Sequence, residues 1–179
     1  MSIQDELENI YKELKIGNEE LVNNKLPRCD QLSLSMLEVI AIDFEGKPIL
    51  LEKTAALAWR LMNESAQSDG VLLEAFSGFR SYLYQGQLFK RRFAKGQLLH
   101  EILLIAAIPG FSEHHSGCAI DICTDGKYQL EESFENTVAF NWLIKNAKRF
   151  GFSLSYPRNN DKGIIYEPWH WLYCERSLS

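Results

Sequence analysis

The sequence predicts an α+β protein in which a small antiparallel sheet is packed by helices. Helix-like apolar spacing leads the chain, whereas short strand-like segments dominate its final third. Helices and strands that are segregated along the chain in this way are typical of an antiparallel sheet covered by helices. No repeat, low-complexity segment or linker interrupts the 179 residues. We therefore expect residues 1–179 to form a single domain.

The predicted helices follow from apolar spacing, from composition rich in Ala and Leu, from a basic face and from glycine stop signals. In the first of them, Leu7, Ile10 and Leu14 define one apolar stripe. Gly70 and Gly151 supply stop signals for two others, because glycine commonly ends a helix. The expected helices span residues 3–15, 51–67, 82–94 and 134–150.

The predicted strands are short runs of apolar, β-branched and aromatic residues bounded by turn signals. The turn at 45–48 (EGKP) follows the first strand. The strand that begins at Cys118 carries Asp121 on one face, with apolar neighbours on both faces. The expected strands span residues 37–44, 71–76, 118–123, 152–156, 163–166 and 169–174.

Charge and hydropathy exclude several functional classes. The formal net charge is -5 and the pI is about 5.4, which argues against binding to nucleic acid or to a membrane surface, because both need a basic face. No apolar run approaches the length of a membrane-spanning helix. The first residues show no secretory leader, so we expect a cytoplasmic protein whose four cysteines stay reduced.

Two short motifs in the last third of the chain together supply the groups of a zinc hydrolase site. They are residues 112–121 (SEHHSGCAID) and 167–171 (EPWHW). They offer a histidine, Asp121 and His170 as ligands, with Glu167 as a spare carboxylate. Catalytic zinc takes three protein ligands and a water, and it lowers the pKa of that water so that a nearby carboxylate can take its proton. The motifs therefore predict hydrolysis assisted by Zn²⁺.

Strand geometry leaves the first histidine ligand open. Side chains alternate along a strand, so His115 would share a face with Asp121, whereas His114 would not. A bend at Ser116-Gly117 would change this, because glycine tolerates unusual dihedral angles. Taken singly, either histidine would more often be a surface or hydrogen-bonded residue, and Asp121 a structural carboxylate.

The second motif also needs a bend, and two basic features lie outside both motifs. In a straight strand Glu167 and His170 would face opposite ways, so both reach one metal only if the chain turns at Pro168. Arg80 follows a predicted strand; it is either a solvated arginine or a group that holds substrate charge. The basic run 90–95 is either a solvated helix face or an attractor for an acidic substrate.

Three segments in this order resemble the VanY-like D-alanyl-D-alanine carboxypeptidases and their L,D-carboxypeptidase relatives. They are SGFRSYLYQ at 77–85, SEHHSGCAID at 112–121 and YEPWHW at 166–171, and the resemblance covers roughly 51–173. It implies a zinc peptidase of bacterial peptidoglycan with the fold shared by hedgehog and the D-Ala-D-Ala peptidases. It also implies a muropeptide or peptidoglycan stem peptide as the partner.

The resemblance implies a role for each site residue. His114, Asp121 and His170 match the zinc ligands, which favours the first of the two adjacent histidines. Glu167 matches the catalytic base, and Arg80 matches the group that polarises the substrate. The family's substrate pocket is matched by Ser77, Gln85, Ser112 and Tyr156.

Some positions depart from the resemblance. Ser155 and Leu172 stand where relatives often have arginine, and the loop 156–167 is short. These departures concern recognition of the substrate rather than the zinc chemistry. Residues 1–50 are poorly covered by the resemblance, so it implies no role for them.

The leading functional hypothesis is a zinc-dependent L,D-carboxypeptidase that removes the terminal D-Ala from peptidoglycan tetrapeptides during cell-wall recycling. A cytoplasmic D,D-carboxypeptidase acting on D-Ala-D-Ala pentapeptides, the first alternative, would destroy precursors needed for cross-linking. A non-catalytic peptide-binding domain on the same fold would have no need of Glu167. A third alternative is a peptidoglycan endopeptidase of the same superfamily. Pocket closure discriminates it, because a carboxypeptidase needs a cation for the free terminus, which Arg80 or a neighbour could supply.

Overall fold

The computed structural model describes residues 3–126 and 130–174, and within them helices are mixed with two antiparallel sheets. This confirms the predicted α+β class with small antiparallel sheets. No helix in these ranges is long and apolar enough to cross a membrane. The helices are α1 (Ile3–Leu14), α2 (Asn18–Val22), α3 (Lys53–Ser68), α4 (Tyr82–Ala94), α5 (Leu99–Ile102) and α6 (Val138–Asn146). The strands are β1 (Leu37–Ile42), β2 (Pro48–Glu52), β3 (Glu74–Ser77), β4 (Ala119–Cys123), β5 (Phe152–Leu154) and β6 (His170–Tyr173).

The four-stranded sheet places three predicted site residues in one row. Its strand order is β3-β4-β6-β5, and all neighbours are antiparallel. Asp121 on β4 lies opposite Ser77 on β3 and opposite His170 on β6. Ile120 and Ile122, its neighbours in β4, pack into the main core. Because side chains alternate along a strand, Asp121 projects from the other face of the sheet.

The main core lies between this sheet and the helices α3 and α6. It includes Trp59 and Met62 of α3, Leu143 of α6, and Trp171 of β6. These four side chains are at most 3% exposed, and the other buried residues of this core are at most 8% exposed. Burial of this apolar area supplies the main favourable term for folding and fixes the face that the sheet turns towards the helices.

The N-terminal segment packs on α4 and on the chain around the two adjacent histidines. Its α1 shares a second apolar cluster with Phe89 of α4. Further along, the backbone N–H of Gln31 donates to Tyr82 Oη at 2.9 Å, and the backbone N–H of Tyr82 donates to Gln31 Oε1 at 2.6 Å. The backbone N–H of Leu32 donates to the carbonyl of His115 at 2.9 Å. Residues 1–50, which the resemblance covers poorly, therefore include groups that pack on α4 and hydrogen-bond to the segment that carries the two histidines.

One predicted helix begins later than expected, because a strand precedes it. The segment Pro48–Glu52 is β2, paired with β1, whereas the prediction had only a turn and then a helix from residue 51. The Glu52 carboxylate accepts the backbone N–H groups of Thr54 and Ala55 at 2.7 and 3.0 Å. Such a cap satisfies N–H groups that have no partner inside a helix, so α3 begins after Glu52.

Two other element predictions need correction. The predicted strand 163–166 is not a strand; the backbone N–H of Ile165 donates to the carbonyl of Leu104 at 2.8 Å, away from the sheet. The predicted helix 134–150 is the shorter α6, with 3-10 turns at Glu132–Asn136 and Ala147–Phe150. An apolar run as short as 163–166 does not distinguish strand, helix and loop by periodicity.

We expect Leu7→Ala to destabilise the protein through the α1–α4 contact. Leu7 is 0% exposed in the second cluster, and truncating such a leucine typically lowers the free energy of unfolding by about 2–5 kcal/mol. Chemical denaturation of the metal-free protein measures this. Leu57→Ala on α3 is the control, because Leu57 is 54% exposed and should change stability by less than about 1 kcal/mol. Equal effects in the two variants would contradict the role of α1.

Candidate metal centre

Two strands and one short turn bring three side chains with metal-binding atoms together. Asp121 comes from β4, His170 from β6, and His114 from the 3-10 turn Glu113–Ser116. Their ligand atoms all lie within 4.8 Å of one another. Zinc bonds to nitrogen and oxygen are about 2 Å long, so one ion would reach all three. Two imidazoles and a carboxylate fit zinc and leave a position for water.

The hydrogen bonds of the two adjacent histidines support His114 as the ligand. Its Nδ1 lies 2.7 Å from the carbonyl oxygen of Gly78, and its Nε2 lies 3.3 Å from Asp121 Oδ2. Both ring nitrogens of His115 are engaged elsewhere, Nδ1 with the carbonyl of Arg80 at 2.6 Å and Nε2 with the backbone N–H of Gly110 at 3.1 Å. We therefore propose His114 as the ligand and a structural role for His115.

The turn geometry explains why the alternation of side chains along a strand favoured His115 over His114. β4 begins only at Ala119, and the two histidines lie in a 3-10 turn that ends at Gly117. Gly117 has φ of 73°, and a Cβ atom there would lie 2.9 Å from the backbone nitrogen of Glu52. Only glycine fits this left-handed, crowded position without strain. The bend that the sequence left open is therefore present.

The chain between Glu167 and His170 also bends. The backbone N–H of His170 donates to the carbonyl of Glu167 at 3.1 Å. This turn at Pro168 brings the two side chains to the same side, with Glu167 Oε2 lying 3.9 Å from His170 Nδ1. The Glu167 side chain is 12% exposed. A carboxylate therefore lies beside the metal-binding group without being one of its three members.

Arg80 points into the same group. Its Nε donates to Ser77 Oγ at 3.0 Å, and its Nη2 pairs with Asp121 Oδ2. The side chain is 17% exposed, so it is not the solvated arginine that was the alternative. A guanidinium at this place can stabilise negative charge that develops at the metal centre.

Burial and neighbouring charges perturb several pKa values at the centre. Burial lowers the pKa of His114 to about 4, assisted by the charge of Arg80. Burial raises the pKa of Glu167 to about 7. Burial would lower the pKa of His170, but the carboxylates of Asp121 and Glu113 outweigh it and raise the pKa to about 9. Perturbed groups gathered in a cleft are typical of functional sites.

The substrate-pocket residues implied by the resemblance line the same cleft as the metal group. The cleft has a volume of about 840 Å³, and Trp169 forms part of its wall. Gln85 is 1% exposed; its Nε2 donates to the carbonyl of Ala107 at 2.9 Å, and its Oε1 has no hydrogen-bond partner in the described part of the chain. The nine predicted site residues all line this cleft: Ser77, Arg80, Gln85, Ser112, His114, Asp121, Tyr156, Glu167 and His170.

Two residues near the centre were not predicted: Glu113 contacts His170, and Lys162 contacts Glu113. Glu113 Oε2 lies 2.9 Å from His170 Nε2, and Lys162 Nζ lies 3.2 Å from Glu113 Oε1. Glu113 is part of the first motif, but no role was predicted for it, because His114 beside it was the candidate ligand. Lys162 lies in a loop without a recognisable pattern, so no signal in the sequence pointed to it.

The chain belongs to the VanY family of zinc peptidases. The family's profile, described as D-alanyl-D-alanine carboxypeptidase, matches residues 48–176. A protein named as carboxypeptidase YodJ from Bacillus subtilis (strain 168) is 36% identical over 167 residues, which are 89% of this chain and 60% of that protein. A D-alanyl-D-alanine carboxypeptidase from Enterococcus faecalis (strain ATCC 700802 / V583) is 34% identical over 62% of this chain and 43% of its own length. The chain thus spans about half the length of these relatives.

Solved structures of related enzymes share the fold. The LdcB LD-carboxypeptidase has a TM-score of 0.70 at 32% identity, covering 79% of this chain and 69% of that one. VanYB in complex with D-alanine-D-alanine has a TM-score of 0.62 at 28% identity, covering 77% of each chain. A VanY D,D-pentapeptidase in complex with Zn(II) has a TM-score of 0.60 at 26% identity, covering 83% and 85%. The His/Asp/His group described above fits the same metal.

We expect His114→Ala to abolish retention of zinc. The variant removes one of three ligand atoms, and the remaining two cannot complete the set that zinc requires. Metal content after dialysis, measured by atomic absorption, tests this on protein whose folding is checked by circular dichroism. His100→Ala, which changes an exposed histidine outside the cleft, should retain full zinc. Zinc loss in His115→Ala together with retention in His114→Ala would reverse the ligand assignment.

Proposed function

We propose that this protein is a zinc-dependent carboxypeptidase of peptidoglycan peptides, and specifically an L,D-carboxypeptidase that removes the terminal D-Ala from tetrapeptides. The observation that carries the proposal is the convergence of a His/Asp/His group, a shielded glutamate and an arginine in one cleft. Membership of the VanY family supports the same chemistry. A module that only binds peptide would have no need of Glu167.

In the proposed reaction, different side chains bind the metal, transfer the proton and stabilise charge. His114, Asp121 and His170 would bind the zinc ion, which would activate a water molecule and polarise the scissile carbonyl. Glu167 lies beside that group and accepts the proton as the water oxygen bonds to the carbonyl carbon. When the C–N bond breaks, Glu167 passes the proton to the amine of the leaving D-Ala. Arg80 stabilises the negative charge on the carbonyl oxygen.

Polar groups along the cleft suit a short peptide with a free carboxylate. Gln85 Oε1 is a buried acceptor that has no hydrogen-bond partner among residues 3–126 and 130–174, and it would accept an N–H of the substrate. Arg91 and Arg92 of α4 line the cleft. Lys90 pairs with Glu13 of α1 instead, outside the cleft. The basic run of the sequence therefore divides between a solvated face and the substrate cleft, and its cleft-facing part would attract an acidic stem peptide.

The preference for an L,D bond rests on two supports. The LdcB LD-carboxypeptidase shares the fold with a TM-score of 0.70 at 32% identity. The second support is the location and role that we propose, namely the cytoplasm and cell-wall recycling. Trimming tetrapeptides to tripeptides there would leave pentapeptide precursors intact. The alternative is a D,D-carboxypeptidase, which the family's description and the likeness to VanYB favour.

Hydrolysis of defined muropeptides tests the proposed preference for tetrapeptides. We expect zinc-loaded enzyme to release D-Ala from a tetrapeptide and to leave a tripeptide, with products identified by mass. A pentapeptide is the matched comparison. Release of D-Ala from the pentapeptide but not from the tetrapeptide would establish the D,D alternative, and internal cleavage of a cross-linked dimer would indicate an endopeptidase.

We expect Glu167→Gln to lower kcat by roughly 10²–10⁴-fold, because the variant keeps the shape of the side chain but cannot transfer the proton. Its zinc content should equal that of the wild type. Steady-state release of D-Ala measures the effect. Glu135→Gln is the control, since Glu135 pairs with Arg158 and does not line the cleft. Near-normal turnover of Glu167→Gln would remove this residue from the mechanism.

We expect Arg91→Gln and Arg92→Gln each to raise KM for an anionic stem peptide by roughly two- to five-fold at low salt, in line with the energy of exposed ion pairs. Turnover at saturation should stay close to that of the wild type, and salt should reduce the difference in KM. Lys90→Gln on the same helix is the matched control. An equal rise of KM in Lys90→Gln would attribute the effect to net charge rather than to the cleft.

A further inference from the structure

Glu113 contacts the side of His170 that faces away from the metal group, and the reaction proposed above does not use it. Its Oε2 lies 2.9 Å from His170 Nε2, and its side chain is 12% exposed. The other ring nitrogen, Nδ1, lies 3.0 Å from Asp121 Oδ1. His170 is therefore bracketed by two carboxylates, one at each nitrogen, and only Asp121 belongs to the metal-binding group.

We propose that Glu113 is a positioning residue for zinc binding, because it accepts the Nε2–H of His170 and so selects the tautomer with its lone pair on Nδ1. A neutral imidazole has one N–H and one lone pair, and only the lone pair can bind a metal. A carboxylate on the outer N–H also fixes the ring orientation and makes the ligand nitrogen more basic. This inference rests on the proposed ligand role of His170, not on the identity of the substrate.

The other histidine of the group is held in a different way. His114 Nδ1 lies 2.7 Å from the carbonyl oxygen of Gly78, so His114 presents its Nε2 towards Asp121. The two histidines thus use opposite nitrogens. The outer partner of His114 is a backbone carbonyl, which no substitution removes, whereas the outer partner of His170 is a side chain. Glu113 is therefore the outer contact that mutation can test without changing a ligand.

Lys162 links this contact to the substrate cleft. Its Nζ lies 3.2 Å from Glu113 Oε1 and 5.1 Å from the centre of the Tyr156 ring. The Tyr156 ring lies against His170, with 4.9 Å between ring centres, and lines the cleft. Because Lys162 occupies one carboxylate oxygen, Glu113 directs the other towards His170. The loop that contains Lys162 therefore contributes to the orientation of the metal ligand.

Zinc affinity tests the inference without any substrate. Competition with a chromophoric chelator should show Glu113→Ala binding zinc roughly 10–100-fold more weakly than the wild type. Glu113→Gln should recover part of this loss, because its amide oxygen still accepts the N–H but carries no charge. Lys162→Met should cause a smaller loss than Glu113→Ala. Glu64→Ala, at an exposed position of α3, is the control and should leave affinity unchanged.

Spectra separate positioning from loss of structure. In cobalt-substituted protein, Glu113→Ala should change the visible absorption bands that report ligand geometry, whereas Glu64→Ala should not. Circular dichroism of the metal-free proteins checks folding, and if Glu113→Ala does not fold, Glu113→Gln carries the test. Unchanged zinc affinity and unchanged cobalt bands in a folded Glu113 variant would overturn the inference alone. Retention of zinc by His170→Ala would overturn the ligand assignment together with the inference.

Discussion

The antiparallel register between β4 and β6 is the constraint on which the site depends. Asp121 and His170 are paired across the two strands, and Ser77 is paired with Asp121 on the other side. A slip of one residue would exchange the two faces of β4 and place Asp121 among the apolar side chains of the main core. Ile120 and Ile122 prevent this slip because they are fully buried. The hydrophobic core therefore determines which side chains meet at the metal.

Charge compensation explains how so many ionisable groups can be buried at one place. Asp121 is paired with Arg80, and Glu113 is paired with both His170 and Lys162. Unpaired charges in such an environment would cost several kcal/mol each. Glu167 differs from Asp121 and Glu113. It is not one of the three metal-binding residues, and in the described ranges it forms no ion pair with a lysine or arginine. Its pKa is raised to about 7. That is the environment expected of a group that exchanges a proton during the reaction.

The sequence predicted those features that local patterns encode. Regular apolar spacing predicted α1, a segment with a basic face was predicted as the helix that is α4, and two compact motifs predicted the His/Asp/His group. Local patterns failed where a contact joins distant residues: Lys162 and Glu113 are 49 positions apart, and nothing in either segment indicates the other. The choice of His114 needed the family resemblance, because a 3-10 turn replaces strand geometry there. The strand β2 was missed because a short apolar run suits several conformations.

The packing of α1 has a consequence for where this fold can be divided. The family match begins at residue 48, yet Phe89 of α4 is covered by α1, and Tyr11 Oη donates to the carbonyl of Pro109 at 2.7 Å. A boundary drawn at the start of the match would cut through an apolar cluster and expose one side of the helix that carries Gln85. Shortened versions of the protein would then tend to aggregate, although every residue with a proposed chemical role would still be present. The unit that buries this cluster therefore begins well before the segment that matches the family profile.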